Sequence, residues 1–133
     1  MSDALIRTAF ESRLKTWAVS KSLPVAWPNV VFTPPATRYL RSFLLPNNTE
    51  SDDLERQHRR RFGVYQVSIV DPIGGGVGPV DALVAEIDAL FPATFTQGSI
   101  RIYMLRPMSA LAPITESNHV VIPVSGSYRS DTY

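Results

Sequence analysis

Residues 46–61, PNNTESDDLERQHRRR, constrain the fold of this chain more than any other stretch. Sixteen positions hold one leucine, Leu54. Acids come first (Glu50, Asp52, Asp53, Glu55) and bases follow (Arg56, Arg59, Arg60, Arg61). Apolar runs flank the stretch at 39–45 and 62–70. A core cannot absorb so polar a segment, so it is expected to be a long charged excursion between two strands. Connections of that length are uncommon in compact domains and tend to be functional or disordered. Ordering a residue costs about 1–2 kcal/mol, with little here to offset it. Residues 47–60 are therefore expected to be mobile in a free subunit, and function is expected in this loop more than in a pocket.

The 133 residues suit one domain, 1–133, able to bury a core without staples. There is no cysteine, hence no disulfide framework and no thiolate metal site. A formal net charge of +1 excludes a generally cationic, nucleic-acid-coating protein, so any charge effect is local. No apolar run approaches the roughly 20 residues that span a bilayer. The N-terminal MSDALIRTAFESRLKTW carries Asp3 and Glu11 and does not read as a signal peptide. The reading is of a soluble protein, with no membrane partner.

Leu5, Ile6, Ala9, Phe10, Leu14, Trp17 and Ala18 recur at three- and four-residue steps and predict a helix over 3–20. Four prolines in 24–36 exclude a regular central element there. Val25, Ala26 and Trp27 suit a short edge strand, and Val30, Val31 and Phe32 another extended piece. Alternation predicts strands over 37–45 and 62–71. Pro79 suits the first turn of a second helix, whose stripe is Val80, Leu83, Val84, Ile87, Leu90 and Phe91. Strands follow at 99–106 and 119–129, the latter placed at a sheet edge or bulge by Pro123. The class is α+β: a mainly antiparallel sheet of about four to five strands, two helices on one face, order α-β-β-α-β-β.

No constellation for catalysis stands out. The run Gly74-Gly75-Gly76-Val77-Gly78-Pro79 follows a strand and precedes a helix, the setting of a dinucleotide fingerprint. Pro79 occupies the third glycine's place, and no Gly-Lys-Ser/Thr is present. The bland reading, a flexible crossing onto the helix, is favoured; a small enzyme or nucleotide-binding domain using this turn is the alternative. His58 and His119 lie in different segments and make a weak metal case. No cofactor and no metal are expected. The arginines suit phosphates, as in a nucleic-acid accessory protein, or a solvated loop balanced by its own acids. A third reading is self-complementarity: acids of one copy meet arginines of the next in a ring. Asp52, Asp53, Glu55, Arg56, Arg59, Arg60 and Arg61 are then the candidate interface residues.

The phrases IRTAFESRLKTWA, LPVAWPNVVFTPP, YLRSFLLPNNT, RRRFGVYQVSIVDPIGGG, IDALFP and PVSGSYRSD resemble the tail-terminator-like (tail-completion) minor tail proteins of long-tailed phages and prophages. The likeness spans roughly residues 5–131 and rests on short phrases, with no catalytic signature. It implies a non-enzymatic α+β subunit of the virion tail, made in the bacterial host cytoplasm. It implies a ring, typically of six copies, that caps the tail tube, ends its polymerisation and faces the head–tail connector. Its partners would be itself, the tail tube protein and the connector, with no sequence-specific nucleic acid. The mobile interstrand loop of that family corresponds to residues 46–61.

Overall fold

A computed structural model describes residues 3–51, 59–74, 78–98, 100–116 and 118–132. The elements in chain order are α1 (Asp3–Ser20), β1 (Val25–Ala26), β2 (Tyr39–Ser51), β3 (Arg59–Pro72), α2 (Gly78–Leu90), β4 (Thr94–Gln97), β5 (Ile100–Met104), β6 (Ser109–Ala110), β7 (Ile114–Glu116) and β8 (His119–Thr132). They form one eight-stranded sheet in the order β1-β2-β3-β8-β5-β4, with β6 and β7 also on β8. The class is α+β as expected. The sheet exceeds the expected four to five strands and is mixed, because β1 runs parallel to β2. The added strands have two to four residues each. Such pieces are too short to show an alternation, and pairing along a neighbour makes them strands.

Helix α1 buries Ile6, Ala9, Phe10, Leu14 and Trp17; α2 buries Val80, Leu83 and Ile87. Both stripes enter one cluster with Leu40 and Leu44 of β2, Tyr65, Val67 and Ile69 of β3, Ile100 and Ile102 of β5, and Ile122, Val124 and Tyr128 of β8. Phe10 is the hub. Its ring stacks on Tyr65 at 4.5 Å and meets Tyr128, Phe91 and Phe95 at 5.2 to 5.5 Å. Such pairs add about 0.5–1.5 kcal/mol each beyond area burial. Leu5, assigned to the α1 stripe, is instead exposed.

Tyr65 and Tyr128 fit beneath α1 because each faces a glycine. The β3–β8 register pairs Tyr65 with Gly126 and Gly63 with Tyr128. A Cβ on Gly63 would lie 2.5 Å from the Tyr128 Oη and 2.7 Å from the Leu45 carbonyl oxygen. On Gly126 it would lie 2.8 Å from the Arg106 carbonyl oxygen. The twice-used Gly-x-Tyr spacing thus makes β3 and β8 mutually complementary in one register only.

On the other face Tyr39, Val70 and Val121 bury a small second cluster against Phe32. Phe32 meets the Tyr39 ring at a tilt, 5.3 Å between centroids, but residues 30–32 form no strand, and Val31 is 99% exposed. Nearby, the Arg38 Nε donates to the buried Asp71 carboxylate at 2.7 Å.

Pro123 is not at an edge. It lies in β8, which β3 flanks along its length and β7, β6 and β5 flank in turn on the other side. The Leu111 N–H donates to the Pro123 carbonyl at 2.8 Å. In an antiparallel strand a residue's N–H and C=O point to the same side. The missing donor therefore faces the break between β6 and β7, and the β3 ladder is intact. The sequence rule locates a gap in pairing, which here is internal to the sheet.

Candidate assembly surface

The described residues of the presumed loop, 46–51 and 59–61, belong to strands. Beyond a register slip between Pro46 and Thr49, β2 resumes pairing, with Thr49, Glu50 and Ser51 opposite Arg61, Arg60 and Arg59. On the other side Arg59, Arg60 and Arg61 face Thr132, Asp131 and Ser130 of β8. Only 52–58 remain between the strands, and Asp52, Asp53, Glu55, Arg56 and His58 lie outside the described residues. The expected mobility of 47–60 thus meets paired backbone at 49–51 and 59–60. The physical reason is length. At about 3.3 Å per residue the 14-residue β3 spans some 46 Å. At 1.5 Å per residue the 18-residue α1 spans about 27 Å. α1 alone therefore cannot cover β3 along its whole length. Backbone pairing continues at 49–51 and 59–61 without apolar side chains.

The arginines do not form one block. Arg61 falls on the same sheet side as Gly63 and Tyr65, towards the helices, whereas Arg60 falls on the opposite side. The register brings Arg101 of β5 and Arg129 of β8 to that opposite face. One row across the sheet reads Arg60, Asp131, Arg101; the next reads Phe62, Arg129, Tyr103. The Arg129 guanidinium lies 4.4 Å above the Tyr103 ring. Behind it the buried Ser130 Oγ donates to the Arg101 carbonyl at 3.0 Å. Arg101 and Arg129 were missed in the sequence. The alternation around Arg101 and Tyr103 was visible, but their meeting with Arg60 needs the register of three strands. Arg59 is placed by its backbone alone, between Ser51 and Thr132.

Two grooves border α1. One, of about 580 Å³, runs between Arg7, Glu11 and Lys15 on the helix and Trp27, Asn29 and Val30 on the following loop. Burial pushes the Glu11 carboxyl up, and Arg7 opposes this only partly. The Arg7 Nη1 stands 3.6 Å from Oε2, beyond hydrogen-bond length. The second groove, of about 520 Å³, lies between Arg13, Thr16 and Trp17 of α1, Leu90 ending α2, and Gln97 ending β4. Arg13 donates to the Leu90 carbonyl at 3.1 Å and covers the Phe95 ring at 4.5 Å. At its far side Glu86 accepts from Trp17 Nε1 at 3.2 Å and pairs with Lys21 at 2.7 Å. The Lys21 bond, then the Trp17 bond, holds the Glu86 carboxyl below its ordinary range.

The Thr8 and Thr16 hydroxyls beside these grooves donate to helix carbonyls, of Ala4 and Ser12, and not to a base. Among the described residues no three His, Cys, Asp or Glu side chains come together as metal ligands. His119 sits edge-on to Tyr39 at a ring separation of 6.4 Å. The Tyr65 hydroxyl shares a 2.7 Å hydrogen bond with Ser42 inside the core, and burial pushes its phenol far above the ordinary tyrosine value. The glycine run contributes a turn: Gly74 has φ +102°, Gly78 and Pro79 open α2, and 75–77 lie outside the described residues. No described helix is long and apolar enough to cross a membrane.

Comparison with known proteins points one way. A family model described as phage tail terminator protein matches residues 5–128. A solved structure with 41% identity covers 100% of this chain and 98% of its own, with a TM-score of 0.82. No curated protein matches.

Proposed function

The chain belongs to the phage tail terminator family, and from that premise we propose that it closes the tail tube as a ring of like subunits. A structural role in a phage tail follows from membership. The finer reading is that the ring, of about six copies by the family resemblance, ends tube polymerisation and meets the head–tail connector. It assembles in the host cytoplasm and acts without a cofactor. The observation that carries the finer reading is the arginine-bearing ribbon formed by the paired ends of β2, β3 and β8. Arg59, Arg60 and Arg61 sit on paired strand backbone, and Arg60 shares its sheet face with Arg101 and Arg129. Acids at Asp52, Asp53 and Glu55, with Arg56, close the same hairpin in sequence. A surface of both signs on one arm fits contact between copies, or between subunit and tube.

One exposed ion pair contributes about 0–1 kcal/mol. A single substitution is therefore a weak test, and block reversal is a strong one. Replacing Arg59, Arg60 and Arg61 together by glutamate should leave the monomer folded, since these positions lie beyond the apolar cluster. Tails assembled with it should have uncontrolled length or fail to join heads. Reversing Asp52 and Asp53 to lysine in the same chain should partly restore joining. Normal tail length and normal head joining with the arginine reversal would end this reading of the ribbon.

A further inference from the structure

The two ends of the sheet are built differently, and the difference concerns backbone groups. At β4, the Met104 N–H donates to the Ala93 carbonyl at 2.9 Å. That bond, with the β4–β5 register, makes 95/102 and 97/100 the other hydrogen-bonded pairs. Thr94 and Thr96 therefore turn their N–H and C=O groups away from β5, to the outside. β4 ends the strand order, and nothing among the described residues pairs with that side. Sheet edges are commonly blunted by proline, charge or a bulge. The edge Thr-Phe-Thr-Gln carries no proline, charge or bulge, and its shortness is its one protection.

At the opposite end the edge is blunted. The Leu40 N–H donates outward to the Pro24 carbonyl at 2.9 Å, so even-numbered residues of β2 face out as far as the register slip. Pro46 falls among them and has no N–H to offer, and the slip follows directly. Beside this end, after β1, the chain holds out an apolar knob. Val30 is 60% and Val31 99% exposed, between Trp27 and Phe32, which both pack on apolar clusters. Phe32 turns to its own Tyr39, and Val31 and Thr33 on either side of it are exposed. Pro34 and Pro35 then end the supply of donors.

We propose that residues 31–33 of a second copy add as a short strand to the Thr94–Gln97 edge, seating Val31 in the groove between α1 and β4. The groove suits an aliphatic side chain: Trp17, Leu90 and the stem of Arg13 form its walls, and Gln97 sits at the strand end. Strand addition supplies hydrogen bonds, and the pocket supplies selectivity. Knob and groove lie at opposite ends of one sheet, so the contact is head-to-tail and leads to a ring if it closes. The inference rests on the ring reading above and names a contact for it.

The chain has no cysteine, which allows a direct test on the purified protein. Oxidation of the Val31→Cys, Gln97→Cys double variant should give a ladder of disulfide-linked multimers. Cross-linking should be about tenfold or more faster than for a control pair, Val31→Cys with Leu111→Cys, owing to raised local concentration. The two single variants mixed should stop at a heterodimer. Adding Thr96→Pro should abolish the ladder without lowering Tm, because that N–H serves no internal bond. A rate equal to the control pair, or a ladder that survives Thr96→Pro, overturns the proposal. Since no tail is present, that failure would leave the tail-length test of the arginines standing, and the reverse also holds.

Discussion

Substituting Gly63 by alanine tests the packing that sets the sheet's register. The new Cβ would meet the Tyr128 Oη at 2.5 Å, the Leu45 carbonyl oxygen at 2.7 Å and the Tyr128 Cε2 at 2.7 Å, where ordinary contact begins near 3.4 Å. The site must open by up to about 0.9 Å. Neither obstacle yields easily. Tyr128 is fully buried against Phe10, and the Leu45 oxygen belongs to a backbone inside the β2–β3 pairing. Overpacking typically costs about 1–3 kcal/mol, and two rigid neighbours place this case at the upper end. Reduced freedom of the unfolded chain returns about 0.4–1 kcal/mol. A net loss of about 2–3 kcal/mol should lower Tm by roughly 10 °C at this size.

Gly126→Ala should cost less, about 1–2 kcal/mol. Two of its three close neighbours are the flexible Met104 and Met108 thioethers. Gly78→Ala has no atom within 4 Å and should be neutral or slightly stabilising. Thermal and denaturant melts of the three variants provide the measurement. If Gly63→Ala melts within about 2 °C of the parent, or Gly78→Ala falls as far, the close-approach argument is wrong.

Tyr65→Phe removes the buried hydrogen bond to Ser42 and should cost about 1–3 kcal/mol in denaturant melts, with Ser42→Ala recovering part of it in the double variant. Glu11→Gln should stabilise at neutral pH. The carboxyl pKa is raised on folding by burial, so its charged form penalises the fold above that pKa; the gain should vanish as pH falls below the carboxylate range. A gain that grows on acidification would contradict the assignment. Glu86→Gln should show the opposite trend. Its carboxyl is lowered by Lys21 and Trp17, so its contribution is present above the unfolded carboxylate pKa and lost as pH falls through the folded one. Parent and variant should then converge at low pH, and added salt should narrow the gap at neutral pH.

The charged stretch shows how far a linear reading reaches. Its polarity did exclude a core position, and described side chains there, such as Arg60 and Arg61, are not buried. Polarity did not exclude a strand. Thr49, Glu50 and Ser51 pair because β3 offers backbone groups and is itself held by β8. A backbone ladder bonds main-chain groups and needs no apolar side chain, so it leaves no signature in side-chain hydropathy. Nor does adjacency in sequence mean a shared face: strand geometry sends Arg60 and Arg61 to opposite sides of the sheet.

Local periodicity alone determined both helices and most of their buried stripes, Leu5 being the exception, because a helix bonds within itself and its face follows from spacing. The same holds for the inward faces of β3 and β5, where Tyr65, Val67, Ile69, Ile100 and Ile102 are buried as alternation requires. Tertiary structure alone decided which strands neighbour one another. It put Pro123 inside the sheet, left β4 as an open edge, and drew Arg101 and Arg129 to Arg60. Strand partners lie tens of residues apart in the chain. Their choice depends on closures such as Gly63 against Tyr128, which exist only once both strands are in place.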